Sequence, residues 1–268
     1  MTLQSTLDTI KPLGHTILAL SEPPELGTDS TAWVNYLSQV SDYVEQRDAI
    51  LVVPFSDLDV AEAFAAQTSV KTSYRIVCVC YPGTTQLAEL AASMAAALAN
   101  SADPALPFNG VNLAGIAPVD PSHKQTFERL ELALHKGVCC IMTGADDVPE
   151  IVRAISTYQV NPTTGEDDDL LLDINGALTI AYVRKVMRQV AKQFPRSKNT
   201  IEARKNLRSA FLEAAIKLDD AEILENVLAR KDELVVTQDA TDKARANATI
   251  PAEWVRGMHV VAATIPIY

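Results

Sequence analysis

No run of apolar residues in this 268-residue chain reaches the eighteen or so needed to span a bilayer, so no direct membrane contact is expected. Met1 is not followed by a basic and then apolar stretch, so secretion is not indicated. Positive charge is in deficit: 23 Lys and Arg stand against 34 Asp and Glu, a formal net charge of −11. A nucleic-acid coat needs clustered excess positive charge to neutralise phosphates, so direct nucleic-acid binding is not expected. Cysteine is limited to Cys78, Cys80, Cys139 and Cys140. The first pair alternates along an apolar segment and the second is adjacent, so neither readily closes on itself. No Cys and His pairs are spaced for a metal, which leaves small buried apolar side chains in a reducing cytoplasm.

The signatures of chemistry are missing too. The turns after the expected strands carry Ser21-Glu22, Pro54-Phe55-Ser56-Asp57 and Pro82-Gly83-Thr84-Thr85. None is a GxGxxG or a GxxxxGK[ST] loop, so dinucleotide and triphosphate binding lack their usual cradle. The Tyr81–Thr85 stretch could meet an anion at the start of its helix, but a plain turn with a Thr cap is the simpler reading. A GxSxG elbow is absent. His15, His123, His135 and His259 lie in unrelated places with no accompanying carboxylate pattern. No catalytic residue, metal or cofactor is therefore expected.

What is present is enough apolar sequence, 48%, for a real core. Strands are expected at 15–20, 49–53 (stopped by Pro54), 74–81, 138–143 and 151–159. Helices are expected at 31–46 with Asp29 or Ser30 as cap, 57–67 with Ser56 or Asp57 as cap, 85–100, and 125–136 ended by Gly137. The strands are continuous apolar runs, as when both faces are covered. Alternation of this kind gives an α/β fold with a mainly parallel or mixed sheet flanked by helices. The second half reads as helical, at 171–194, 200–218 and 221–229, followed by a strand at 234–238 and a polar loop at 243–249. A terminal β-strand arm, 257–268, closes the chain. The divisions expected are a short N-terminal arm (1–13), a core (14–256, itself 14–150 and 151–256) and that C-terminal arm.

Residues 151–198 stand out. An acidic loop with Glu166, Asp167, Asp168 and Asp169 runs into a helix with Arg184, Lys185, Arg188 and Lys192. The acids are consecutive, whereas a calcium loop alternates its ligands, so a solvated loop or one meeting a basic partner is preferred. Residues 184, 188 and 192 share one helix face. They read either as an ordinary solvated face or as a contact surface for an acidic partner. The last strand carries His259, Val260, Val261, Ala262, Ala263, Thr264 and Ile265, with no charge to blunt it. It either pairs within its own sheet or adds to a neighbour's edge.

This same block resembles the C-terminal core of contractile phage tail sheath proteins, most closely their Mu-like branch. The resemblance lies in Thr157-Tyr158-Gln159, Leu172-Asp173, the run Leu178-Thr179-Ile180-Ala181-Tyr182-Val183-Arg184, and Phe194-Pro195-Arg196-Ser197-Lys198. Upstream, residues 74–85 and the loop 113–122 follow the family's order, and residues 256–268 resemble its terminal arm. Mu-like sheaths are much longer, so the chain looks like either a minimal form lacking the usual N-terminal domains or a relative with altered connectivity.

The resemblance implies a non-enzymatic structural subunit. It would stack as hexameric rings around an inner tube and be held extended between baseplate and tail terminator. Contraction would drive the tube, and DNA ejection, through the host envelope. It implies a virion tail assembled in the host cytoplasm. Arg184, Lys185, Arg188 and Lys192 would face the tube, the strand 259–265 would link subunits, and loop 166–169 would meet a neighbour. The alternative is an α/β enzyme or small-ligand protein of unknown substrate.

Overall fold

The computed structural model describes residues 3–42 and 44–259. Two compact units divide the chain. The first holds residues 1–102, 106–177 and 258–268; the second holds 103–105 and 178–257.

The first unit is built on a five-stranded sheet of β1 (Ile17–Ala19), β2 (Ile50–Phe55), β3 (Ile76–Cys80), β4 (Val138–Thr143) and β5 (Pro149–Ile151). The first four strands pair in parallel and β5 is antiparallel to β4, so the sheet is mixed and mainly parallel, as expected. Alternation along the strands sends Leu51, Val53, Phe55, Ile76, Cys78, Cys80, Val138 and Cys140 into one buried cluster. Helices α1 (Leu3–Ile10), α2 (Thr28–Val40), α3 (Leu58–Ala65) and α5 (Phe127–His135) supply the rest of it, through Leu7, Leu37, Phe64 and Leu130. Each such side chain, fully buried, contributes about 1.5–3 kcal/mol. The opposite face is covered by α4 (Leu87–Ala99), which contacts β1, β2 and β3. All four cysteines are buried, and burial pushes the Cys139 thiol up to about 12 and the others upward as well.

Several local expectations give way to packing. Pro54 does not stop β2 but sits inside it, opposite Val79. Ile50 N–H donates towards β1 and Leu51 N–H towards β3, so the missing donor of Pro54 faces the β1 side. There β1 has already ended, at Ala19 opposite Val52. Helix α2 ends at Val40, not Gln46, and its cap is Gly27, with Ser30 Oγ bonded back to it. Val44 is exposed beyond its end, and Tyr43 lies outside the described residues. Residues 151–159 form no continuous strand. After β5 they run extended against 171–174 through the Ile155–Asp173 bridge.

The second unit continues α6 (Ile174–Ala191) from Leu178, then α7 (Ile201–Asp220), β6 (Leu224–Glu225), β7 (Val235–Gln238), β8 (Ala246–Thr249) and β9 (Glu253–Trp254). Val183, Met187, Phe211, Ala215, Leu218 and Leu234 form its core. No helix forms at 221–229. Glu222 takes φ +56 while Ile223 N–H returns to Leu218 O and closes α7, after which Leu224 pairs with Trp254. The polar stretch 243–249 is not a loop throughout, since 246–249 pairs with β7.

One buried ion cluster braces the first unit. Glu62 of α3, only 9% exposed, accepts hydrogen bonds from Arg129 of α5 and from Lys136 Nζ at 2.6 Å. Arg129 also reaches Asp59 at 2.8 Å. Burial alone would raise the Glu62 carboxyl, but the bonds from Lys136 and Arg129 outweigh it and hold the carboxyl below its ordinary range. That stabilisation is present at neutral pH and is lost as pH falls through the depressed folded value. Replacing Glu62→Gln should cost about 1–3 kcal/mol in denaturant melts at neutral pH. The gap to wild type should close in acid.

Candidate functional site

Open α/β sheets place ligands beyond the strand C-termini, where strand order reverses. Here the order is β1-β2-β3-β4-β5 with no reversal. The loop after β3 is also filled. Tyr81 is buried, its hydroxyl 2.8 Å from Thr143 Oγ1 and accepting from Val119 N–H at 3.0 Å. Gly83, at φ +80, lies under His123, and a Cβ there would come within 2.3 Å of the ring. The space left among Tyr81, Pro82, Val119 and His123 is 20 Å³, about one water. Among the described residues no group of His, Cys, Asp and Glu could hold a metal.

The polar residues cluster instead around 153–173. Thr157 is fully buried: its N–H donates to Ile76 O, and its Oγ1 lies 2.9 Å from Val70 O and 3.0 Å from Ser73 O. Gln159 N–H donates to Lys71 O. Gly137, at φ +79, makes room, since a Cβ there would meet Gln159 Nε2 at 2.6 Å and Thr157 Cα at 3.3 Å. Tyr158 donates to Asp168 Oδ2 at 2.7 Å, and burial together with that carboxylate pushes the phenol above its ordinary range. Thr157-Tyr158-Gln159 thus staples this segment to the α3–β3 connection.

Within the acidic loop the four carboxylates differ. Asp168 is half-buried and also accepts from Asn161 Nδ2 and Leu170 N–H. Glu166, Asp167 and Asp169 are exposed. Asp167, Asp168 and Asp169 line an open cavity of 560 Å³ with His135, Tyr158 and Gln159. Of the basic set, Arg184 and Arg188 are half-buried on α6 and each has a partner. Lys185 is exposed on the helix, and Lys192 is exposed one residue past its end. The acidic loop belongs to the first unit and this helix face to the second.

Two features escape a reading of the sequence. β7 and β8 form a two-stranded sheet by themselves, with Val235 43% exposed. Two-stranded ribbons are marginal in water and present unpaired edges. This one is tied down by Arg208, which donates to Leu234 O and Lys231 O, and by Asn199, which donates to Lys243 O and Arg245 O. The second feature is a polar knot at the root of the last segment. Arg153 grips Asp173 through two bonds of 2.8 and 2.9 Å. His259 sits 3.4 Å from the same carboxylate and 2.9 Å from Asn109 Oδ1. In the sequence Asp173 carries only the Leu172-Asp173 resemblance and falls within the expected helix 171–194, because its partners are distant in sequence. Residues 260–265, expected to form the strand, lie outside the described residues.

No protein-family model matches the sequence. No curated protein matches it either. Solved structures do. The sheath tail protein from Listeria innocua superposes with a TM-score of 0.72 at 12% identity, over 94% of this chain and 56% of that one. A chain of the sixfold-symmetrised anti-feeding prophage baseplate gives 0.69 at 17% identity, over 99% of this chain and 72% of that one. The contracted helical sheath of the anti-feeding prophage gives 0.67 at 17%, over 98% and 73%. The chain therefore spans little more than half the length of the Listeria protein. What it shares with these proteins, along nearly all of its own length, is the fold of a contractile-system sheath protein.

Proposed function

We propose that this chain is a structural subunit of a contractile tail sheath. It stacks in hexameric rings around an inner tube between baseplate and tail terminator, and contraction of the lattice drives the tube through a host envelope. The observation that carries this reading is the fold shared with sheath proteins over 94–99% of the chain. The blocks at 157–159, 172–173, 178–184 and 194–198 support placement in the Mu-like phage branch, with a virion tail as its location. The filled strand ends accord with a subunit whose work lies at interfaces. Stored assembly energy replaces nucleotide chemistry, and rigid subunits repack bistable contacts.

Three surfaces carry the assembly. The segment 259–265 of one copy adds as a strand to a neighbour, and the open β7–β8 ribbon is the acceptor its geometry favours. Arg184, Lys185, Arg188 and Lys192 meet the tube, and Glu166, Asp167 and Asp169 meet a neighbouring subunit. Tube contacts must break on contraction, and exposed pairs supply only about 0–1 kcal/mol each, which suits a reversible grip.

Negative-stain images of the purified full chain should show rings or tubes; compact single particles at all concentrations would favour a small-ligand protein instead. A chain ending at Gly257 should stay folded yet lose polymerisation, and normal polymers from it would remove the arm from the scheme. Reversing Lys185 and Lys192 to Glu should weaken extended assembly on tubes while leaving self-association intact, as read by co-sedimentation.

A further inference from the structure

Charge is divided unequally between the two units. The first carries 22 of the 34 acidic residues and only 8 of the 23 Lys and Arg. The second carries 15 basic residues against 12 acidic ones. Nine of those bases, with Glu202 the one acid among them, fall between Arg184 and Arg208. The fold gathers them further. α6 ends at Ala191, and the turn passes Arg196, at φ +58, and Lys198 before Thr200 caps α7. Asn199 in that turn donates to Lys243 O at 2.9 Å and Arg245 O at 3.0 Å, so the loop between β7 and β8 is drawn against it. Arg204 donates to Asn199 O and Oδ1. Arg196, Lys198, Arg204, Lys243 and Arg245 thus meet round one asparagine, from stretches 44 residues apart. The acids nearby are engaged within the unit. Asp239 accepts from Thr241 N–H, Asp242 N–H and Asn247 and lies 3.9 Å from Arg245. Asp242 accepts from Ala244 N–H, and Glu202 pairs with Lys205 at 2.9 Å. Arg196, Lys198 and Lys243 are exposed, and among the described residues no carboxylate pairs with them. Ile201, two residues past Asn199, is 64% exposed.

We propose that this basic patch docks on the acidic first unit of a second copy of the chain. Complementary charge steers two surfaces together and rejects like-charged pairings, so the patch repels its own counterpart and attracts the first unit. Exposed Glu166, Asp167 and Asp169 of that unit have no ion-pair partner among the described residues and are available to it. Unlike surfaces that join form a heterologous contact, which closes into a ring or runs on as a filament. The contact needs no tube, and it rests on the sheath reading only for the shape of the polymer.

The full chain tests it, with isotopically light and heavy copies mixed and treated with a carbodiimide, which joins amines to carboxylates in contact. Peptides holding Lys198 or Lys243 should be joined to acids of the first unit, with the two halves from differently labelled copies. Lys198→Glu with Lys243→Glu should weaken self-association about tenfold in sedimentation. Wild type should weaken by about as much when salt rises from about 50 to about 500 mM, where the Debye length falls to a few ångströms. Lys217→Glu with Lys231→Glu makes the same change in net charge at exposed sites of the second unit outside the patch, and should leave self-association unchanged. Cross-links found only within copies, an equal loss in both double variants, or no self-association of wild type at low salt overturn the patch. Normal tubes from Lys198→Glu with Lys243→Glu overturn it while leaving the sheath reading in place. Mixed-label cross-links in small oligomers uphold it even if no ring or tube forms.

Discussion

A buried backbone carbonyl must find a donor, and in this fold that demand settles on Thr157. Val70, Ser73 and Ile76 present carbonyls at the entrance to β3, before β4 has begun to pair there. Thr157 N–H donates to Ile76 O and its single hydroxyl proton is shared between Ser73 O and Val70 O, which also accepts from Ser73 N–H, while Gln159 N–H donates to Lys71 O. The chain after β5 is thereby drawn back across the start of the sheet. The segment that leads to the start of α6 inherits its position from that staple. Ser156 bonds to Leu171 and Leu172, Ala154 O receives Ile174 N–H, and α6 starts where these bonds deliver it. Gly137 is part of the same constraint, because a side chain there would occupy the space of Thr157 and Gln159.

The two units solve the burial problem differently. The first covers its sheet on both faces and closes the crevice where such folds hold ligands, with Tyr81 and His123 as the filling. The second rests on two long helices and leaves a β-ribbon held mainly by Arg208 and Asn199. Asp239 shapes that ribbon's loop: bonds from Asp242 N–H, Asn247 Nδ2 and Thr241 N–H bring its carboxyl down to about 2. Among the described residues the ribbon pairs with no further strand, so its loop bonds and the Arg208 and Asn199 contacts hold it in place.

Charge has been sorted by depth. Glu62 is buried with two cationic partners and Asp173 with one and a histidine beside it, while Asp168 is half-buried against a tyrosine and an asparagine. The remaining acids of the 166–169 loop are in water. The consecutive carboxylates therefore do unlike jobs. One is a bolt for the loop and its neighbours form a surface.

Local chemistry alone determined the strands with unbroken β-branched runs, the Asp57 cap, and the helix stop at Gly137, because each depends on residues a few positions apart. It determined the α/β class by the same route. Only the tertiary structure decided that Pro54 lies within a strand, since this depends on β1 ending early beside it. Tertiary structure also decided that 221–225 leaves the helix and that 246–249 is a strand. Glu222 and Ala246 carry no such preference, but pairing to Trp254 and β7 rewards it. The cluster of Arg153, Asp173, Asn109 and His259 was equally illegible, because its members lie up to 150 residues apart and acquire meaning only when the fold brings them together.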